Sequence, residues 1–91
     1  MKLLLSPTFA RALKRIVNKN PVAEQKVRNA LKLLESDLFH PRLRTHKLKG
    51  ALEEHWACTV DYDLRIVFEM VEHEGEQAVL LNTLGTHDEV Y

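Results

Sequence analysis

The spacing of apolar residues changes once along this 91-residue chain, and that change limits what it can fold into. From Phe9 to Leu38 they recur every three to four positions, and from Leu52 they alternate. A period near 3.6 lines one face of a helix and a period of two lines one face of a strand, so helices precede a sheet. Within the first half, "KLLL" reads as a short strand and "SP" as a helix start, with Ser6 capping and Pro7 at the first helical position. Phe9, Leu13, Ile16 and Val17 make the first apolar stripe. Asn20 and Pro21 repeat the start signal, and Ala23, Val27, Ala30, Leu31, Leu34 and Leu38 make the second stripe. Two helices in a hairpin are predicted, followed by an irregular basic loop, "FHPRLRTHKLKG".

Beyond the loop, "HWACTVD", "RIVFEMVE" and "QAVLLNT" read as three strands joined by tight turns at "YDL" and "HEGE". Parity puts Trp56, Cys58 and Val60 on the core side of one strand and Ile66, Phe68 and Met70 on the core side of the next. Thr59, Asp61, Arg65 and Glu69 then fall on an opposite, polar face. The expected fold is α+β, in the order β-α-α-β-β-β, with an antiparallel sheet packed against the helical hairpin. Residues 1–91 are expected to form one domain.

A net charge of zero conceals a division at Gly50: residues 1–50 hold twelve Lys/Arg and three Asp/Glu, residues 51–91 one and ten. The halves therefore carry +9 and −9, and Arg65 is the single Lys/Arg of the acidic half. A basic face for a polyanion and two solvated lysine-rich helices are both consistent with this division. If a polyanion binds, Arg42, Arg44, Lys47 and Lys49 of the basic loop are the expected contacts. No apolar run approaches the ~18 residues of a membrane span, and "MKLLL" breaks too early for a signal-peptide core, so a cytoplasmic location is expected. The lone Cys58 reads as a small buried side chain. His40, His55 and His73 read as surface residues, and the histidine spacings contain no familiar ligand pair, so neither metal nor cofactor is expected.

Three stretches in order, "HKLKG", "DYDLRIVFE" and "GTHDEVY", resemble the RelE/ParE superfamily of toxins from bacterial toxin–antitoxin pairs. "THKLKGAL" and "TLGTHDEVY" are similar to its YafQ branch, and the likeness covers nearly the whole chain. The resemblance implies a RelE-like fold and a ribosome-dependent endoribonuclease that cuts messenger RNA in the ribosomal A site. It also implies inhibition by a cognate antitoxin, with operator DNA bound only through the antitoxin complex and no membrane partner. By the same resemblance His46 matches the histidine of the YafQ loop, Asp63 the acid of its turn, and His87 and Tyr91 its closing histidine and aromatic. Arg65 matches instead the arginine of RelE proper that contacts the scissile phosphate. The chain departs from both patterns: Thr59 and Leu64 stand where YafQ has a histidine and a tryptophan, and "WACTV" lacks the RelE strand lysines.

For several of these residues a structural role competes with the catalytic one. Asp63 suits either catalysis or turn stabilisation, including a pair with Arg65. His87 suits either proton transfer or capping of the strand end, and His46 proton transfer or a solvated loop position. Tyr91 suits either stacking on an unpaired base or plugging the core edge. Gly85 is expected to act as a flexible pivot for the tail that carries His87 and Tyr91, and the antitoxin is expected to cover the basic face and displace that tail. A ParE-like gyrase inhibitor, against which His87 and "HKLKG" argue, and an inert antitoxin-binding member are the alternatives.

Overall fold

The computed structural model describes residues 1–50 and 54–91, so the Ala51–Leu52 end of the "THKLKGAL" stretch lies outside the described residues. Strand β1 (Lys2–Leu5) leads into helix α1 (Pro7–Lys19) and helix α2 (Pro21–Ser36). Ser6 caps α1 by accepting the Phe9 amide at 3.0 Å. Asn20 ends α1 and starts α2, its Oδ1 accepting the amides of Val22 and Ala23. Both helix starts therefore satisfy amides that would otherwise lack a partner, as the Ser-Pro and Asn-Pro pairs predict.

A 3-10 turn (Pro41–Leu43), strand β2 (His46–Lys47), strand β3 (Trp56–Thr59), strand β4 (Leu64–His73), strand β5 (Glu76–Thr86) and helix α3 (His87–Val90) complete the described chain. The α+β architecture is the expected one, with two elements added, β2 inside the basic loop and α3 at the tail. The sheet is mixed rather than wholly antiparallel: in the order β1-β5-β4-β3-β2, β1 runs parallel to β5 and the other pairs are antiparallel. The β4–β5 loop is Glu74-Gly75, both at positive φ, the geometry whose twist matches a two-residue hairpin.

The helical stripes cover one face of this sheet. Phe9, Val27, Ala30 and Leu34 form a single buried cluster with Cys58, Ile66, Phe68, Leu81 and Leu84, and Trp56, Val60 and Met70 pack at its margin. The parity prediction for the core side of β3 and β4 therefore holds. Burial of a side chain such as Phe9 or Phe68 contributes about 1.5–3 kcal/mol. A register shift at Val67/Phe68 leaves Asn82 as an extra residue in β5. On the far face, cross-strand partners align His46 with Ala57, Val67 and Thr83, and Thr59 with Arg65 and Gly85.

Candidate functional site

The turn between β3 and β4 is organised by Asp61. Its Oδ1 accepts the amides of Asp63 and Leu64, each at 3.0 Å, and its Oδ2 lies 3.1 Å from Lys26 Nζ on α2. Burial pushes the Asp61 carboxyl up, but the Asp63 amide, the Lys26 ammonium and the Leu64 amide outweigh it and hold the group below the usual aspartate range. The turn-stabilising role considered for Asp63 thus belongs to Asp61. Asp63 itself is exposed, and the Asp63–Arg65 pair does not form. Instead Arg65 Nη1 donates to the carbonyls of Asp61 at 2.8 Å and Tyr62 at 3.1 Å. These neutral acceptors hold the guanidinium in place without cancelling its charge.

Arg65, Arg42, Arg44, Lys26 and Tyr62 line a cleft of about 590 Å³ between α2, the 3-10 turn and the β3–β4 turn. The 3-10 turn is anchored by the buried Leu43 and capped by His40, whose Nδ1 accepts the Arg42 amide at 3.1 Å. His40 thus has a structural role that its surface reading missed. Arg44 ends the turn at φ 50°, a left-handed conformation uncommon for a residue with a Cβ. The basic loop is divided by its own fold, since Lys47 and Lys49 border a separate shallow depression with Gly50 and Glu54.

His46 sits on β2, on the far face of the sheet, and its Nδ1 is 2.9 Å from the Arg44 carbonyl. A carbonyl can only accept, so this bond requires the proton on Nδ1 and leaves Nε2 of the neutral ring as an acceptor. His46 is therefore a strand residue oriented by the Arg44 carbonyl, and it is exposed, as the solvated position considered for it requires.

The tail is a short helix with both halves of a capping box. Thr86 Oγ1 accepts the Glu89 amide at 3.4 Å, and Glu89 Oε1 accepts the Thr86 amide at 2.8 Å. Gly85 is no pivot: its φ is not in the left-handed region, and a Cβ there would meet Glu89 Oε1 at 3.0 Å and Val90 Cγ1 at 3.2 Å. A Cβ is crowded here because α3 lies against the sheet at this position. The His87 and Tyr91 rings meet edge to face with centroids 4.5 Å apart. Tyr91 remains 42% exposed, so it neither plugs the core nor projects freely. Partial burial pushes its hydroxyl pKa up, with the nearby Arg65 charge opposing. Arg65 lines the cleft, and His46 lies across β3 from it.

Several contributors were missed in the sequence. Lys26 lies in no motif, and Tyr62, though inside the "DYDLRIVFE" stretch, was given no role. His55 is no simple surface residue, since its Nε2 is 3.7 Å from Glu69 Oε2, which also accepts from Asn82 Nδ2 at 2.8 Å. The Thr86…Glu89 spacing was a legible capping-box signal for α3. Cys58 is fully buried as expected, and burial pushes its thiol to about 12. Among the described residues no group of three His, Cys, Asp or Glu side chains is placed to hold a metal ion, and no helix is long and apolar enough to cross a membrane.

Residues 1–91 match the model of a family described as the bacterial toxin of a type II toxin–antitoxin system, YafQ. No match to a curated protein reaches significance. The fold is similar to that of YafQ from E. coli strain BL21(DE3), at 14% identity and a TM-score of 0.80, covering 99% of this chain and 97% of that one. A YoeB/ParE toxin from Agrobacterium tumefaciens superimposes with a TM-score of 0.79 at 16% identity, covering 96% of this chain and 99% of that one. A chain of the E. coli DinJ–YafQ complex gives 0.77 at 14% identity, covering 99% and 97% respectively. At these identities the structural likeness bears on fold alone.

Proposed function

The chain belongs to the YafQ family of bacterial type II toxin–antitoxin toxins, and we propose that it acts as a ribosome-dependent endoribonuclease that cleaves messenger RNA in the A site. The observation that carries this reading is the setting of Arg65, whose guanidinium is held by the Asp61 and Tyr62 carbonyls in an arginine-lined cleft and has no carboxylate partner among the described residues. In the proposed reaction the ribose 2′-hydroxyl attacks the adjacent phosphorus as its proton passes to a base. The bond to the 5′-oxygen breaks as an acid protonates that oxygen, and a 2′,3′-cyclic phosphate and a 5′-hydroxyl result. No metal ion is required by this scheme.

His46 and His87 divide the two proton transfers, since imidazole exchanges protons near neutral pH. The Nδ1-to-carbonyl bond of His46 supports its acting through Nε2. Arg65 offers charge and paired donors to the phosphorane oxygens. Asp63, exposed at the turn, is assigned to the mouth of the site. Arg42, Arg44, Lys47 and Lys49 contact RNA phosphates.

By analogy with the DinJ–YafQ complex, a cognate antitoxin is proposed as the inhibiting partner, with operator DNA reached only through that complex. The unit that acts is the whole of residues 1–91 as one domain in the cytoplasm. The test is to map RNA 5′ ends on ribosomes programmed with a defined message, with chelator present. Parent protein should create new 5′-hydroxyl ends in the A-site codon, and His87→Ala or Arg65→Ala should reduce them about 10²–10⁴-fold. Intact message with inhibited gyrase supercoiling would instead identify a ParE-like toxin, and intact message with antitoxin binding alone an inert member.

A further inference from the structure

The β3–β4 turn carries an aromatic ring that neither the fold nor the proposed chemistry uses. Tyr62 is 95% exposed, higher than any other large apolar side chain of the described residues, and it stands at the mouth of the cationic cleft. Isolated exposed aromatics are ordinary, so exposure alone decides nothing. Its setting does. The Tyr62 carbonyl accepts from Arg65, and Asp61 pins the same turn to α2 through Lys26, so the backbone beneath the ring is held from two sides. Across the cleft stand Arg42 and Arg44, and among the described residues neither they nor Arg65 has a carboxylate partner, whereas Lys26 is paired. A rigid turn therefore presents a ring beside three unneutralised guanidinium groups.

We propose that this cleft is a subsite for one unstacked nucleotide of single-stranded RNA, with its base on the Tyr62 ring and its flanking phosphates on Arg42 and Arg44. The volume of about 590 Å³ falls in the range of small-molecule sites. A π-face beside arginines is the pairing that grips single strands without reading their sequence, because every base has a face to stack. An acidic peptide would satisfy the guanidinium groups but leave the ring without a function, so RNA is the better-matched occupant. The subsite rests on the endoribonuclease reading and adds to it a grip away from His46 and His87.

The experiment measures anisotropy of a short fluorescent 2′-O-methyl RNA with the full chain and no ribosome, a probe that cannot be cleaved because its nucleophile is blocked. Tyr62→Ala should weaken binding about 5- to 150-fold, and Tyr62→Phe should stay within about two-fold, since stacking needs only the ring. Arg44→Gln should lower the salt slope by about 0.7. An abasic oligomer of the same length should bind parent and Tyr62→Ala alike. Unchanged thermal melting of Tyr62→Ala separates a lost contact from a lost fold. Equal binding by parent and Tyr62→Ala, no binding by the parent, or an aspartate-rich peptide that alone responds to Tyr62→Ala would each overturn the subsite. Ring-dependent binding without message cleavage would sustain the subsite and overturn only the endoribonuclease reading.

Discussion

The imidazole of His87 meets the ring of Tyr91 at an interplanar angle of 80°, edge to face across one turn of α3. The proposed task of Tyr91 is to hold the histidine through this contact. Aromatic pairs of this geometry contribute about 0.5–1.5 kcal/mol. Tyr91→Ala should therefore reduce cleavage about 2- to 10-fold through a misplaced His87, with a small change in melting temperature. Tyr91→Phe keeps the ring and should retain activity. Phe failing as badly as Ala in single-turnover assays would assign the function to the hydroxyl.

Gly85 tests whether the tail must lie where it does. An added methyl would press on Glu89 and Val90, both part of α3. Gly85→Ala is expected to displace α3 and lower cleavage, with a loss of stability of about 1–3 kcal/mol, the usual range for overpacking. The backbone resonances of residues 86–91 should shift while those of α1 and α2 stay in place. Parent-level activity in this variant would show that the tail position is immaterial.

Asp61 should make the protein's stability depend on acid. Its folded-state pKa lies below its ordinary value of 3.8, so its contribution is complete above the unfolded-state pKa and is lost as pH falls through the lower folded value. Asp61→Asn should flatten the acid limb of the stability curve below about pH 4. Asp61→Ala, which also strands two turn amides, should cost about 1–3 kcal/mol near neutral pH. Lys26→Met removes only a partly exposed ion pair and should cost about 0–1 kcal/mol. Chemical denaturation across pH reads all three, and a pH-independent difference between Asp61→Asn and parent would refute the assignment.

Arg44 occupies a backbone conformation that glycine adopts without strain. Arg44→Gly should leave stability within about 1 kcal/mol of the parent, relief of the left-handed φ offsetting the greater freedom of the unfolded chain. Ribosome binding should weaken in the same variant. A fall in stability with binding preserved would show that the side chain serves the fold and not the cleft.

The two helices were legible because their signals are local. Ser6-Pro7 and Asn20-Pro21 act on amides within three residues, and the apolar stripes need only helical spacing to face one way. Alternation likewise identified the core side of β3 and β4, because a strand's parity does not depend on its neighbour. Strand β2, at two residues, is too short to show any period, so His46 read as a loop residue. Of the proposed site residues, the family resemblance gave roles to His46, Asp63, Arg65, His87 and Tyr91, but none to Tyr62, which lies within "DYDLRIVFE", or to Lys26.

Sequence alone thus determined the two long helices and the strands β1, β3, β4 and β5, the core side of β3 and β4, and that the chain's charge is divided at Gly50. Tertiary structure decided the parallel docking of β1 on β5, the pairing of Lys26 with Asp61 across 35 positions, and the gathering of Arg42, Arg44 and Arg65 around one cleft. The physical reason is range. Caps and periodicity are set by neighbours a few residues away, whereas a strand's partner or an arginine's acceptor is chosen only when distant segments close on a shared core, and nothing in the local spacing encodes that choice.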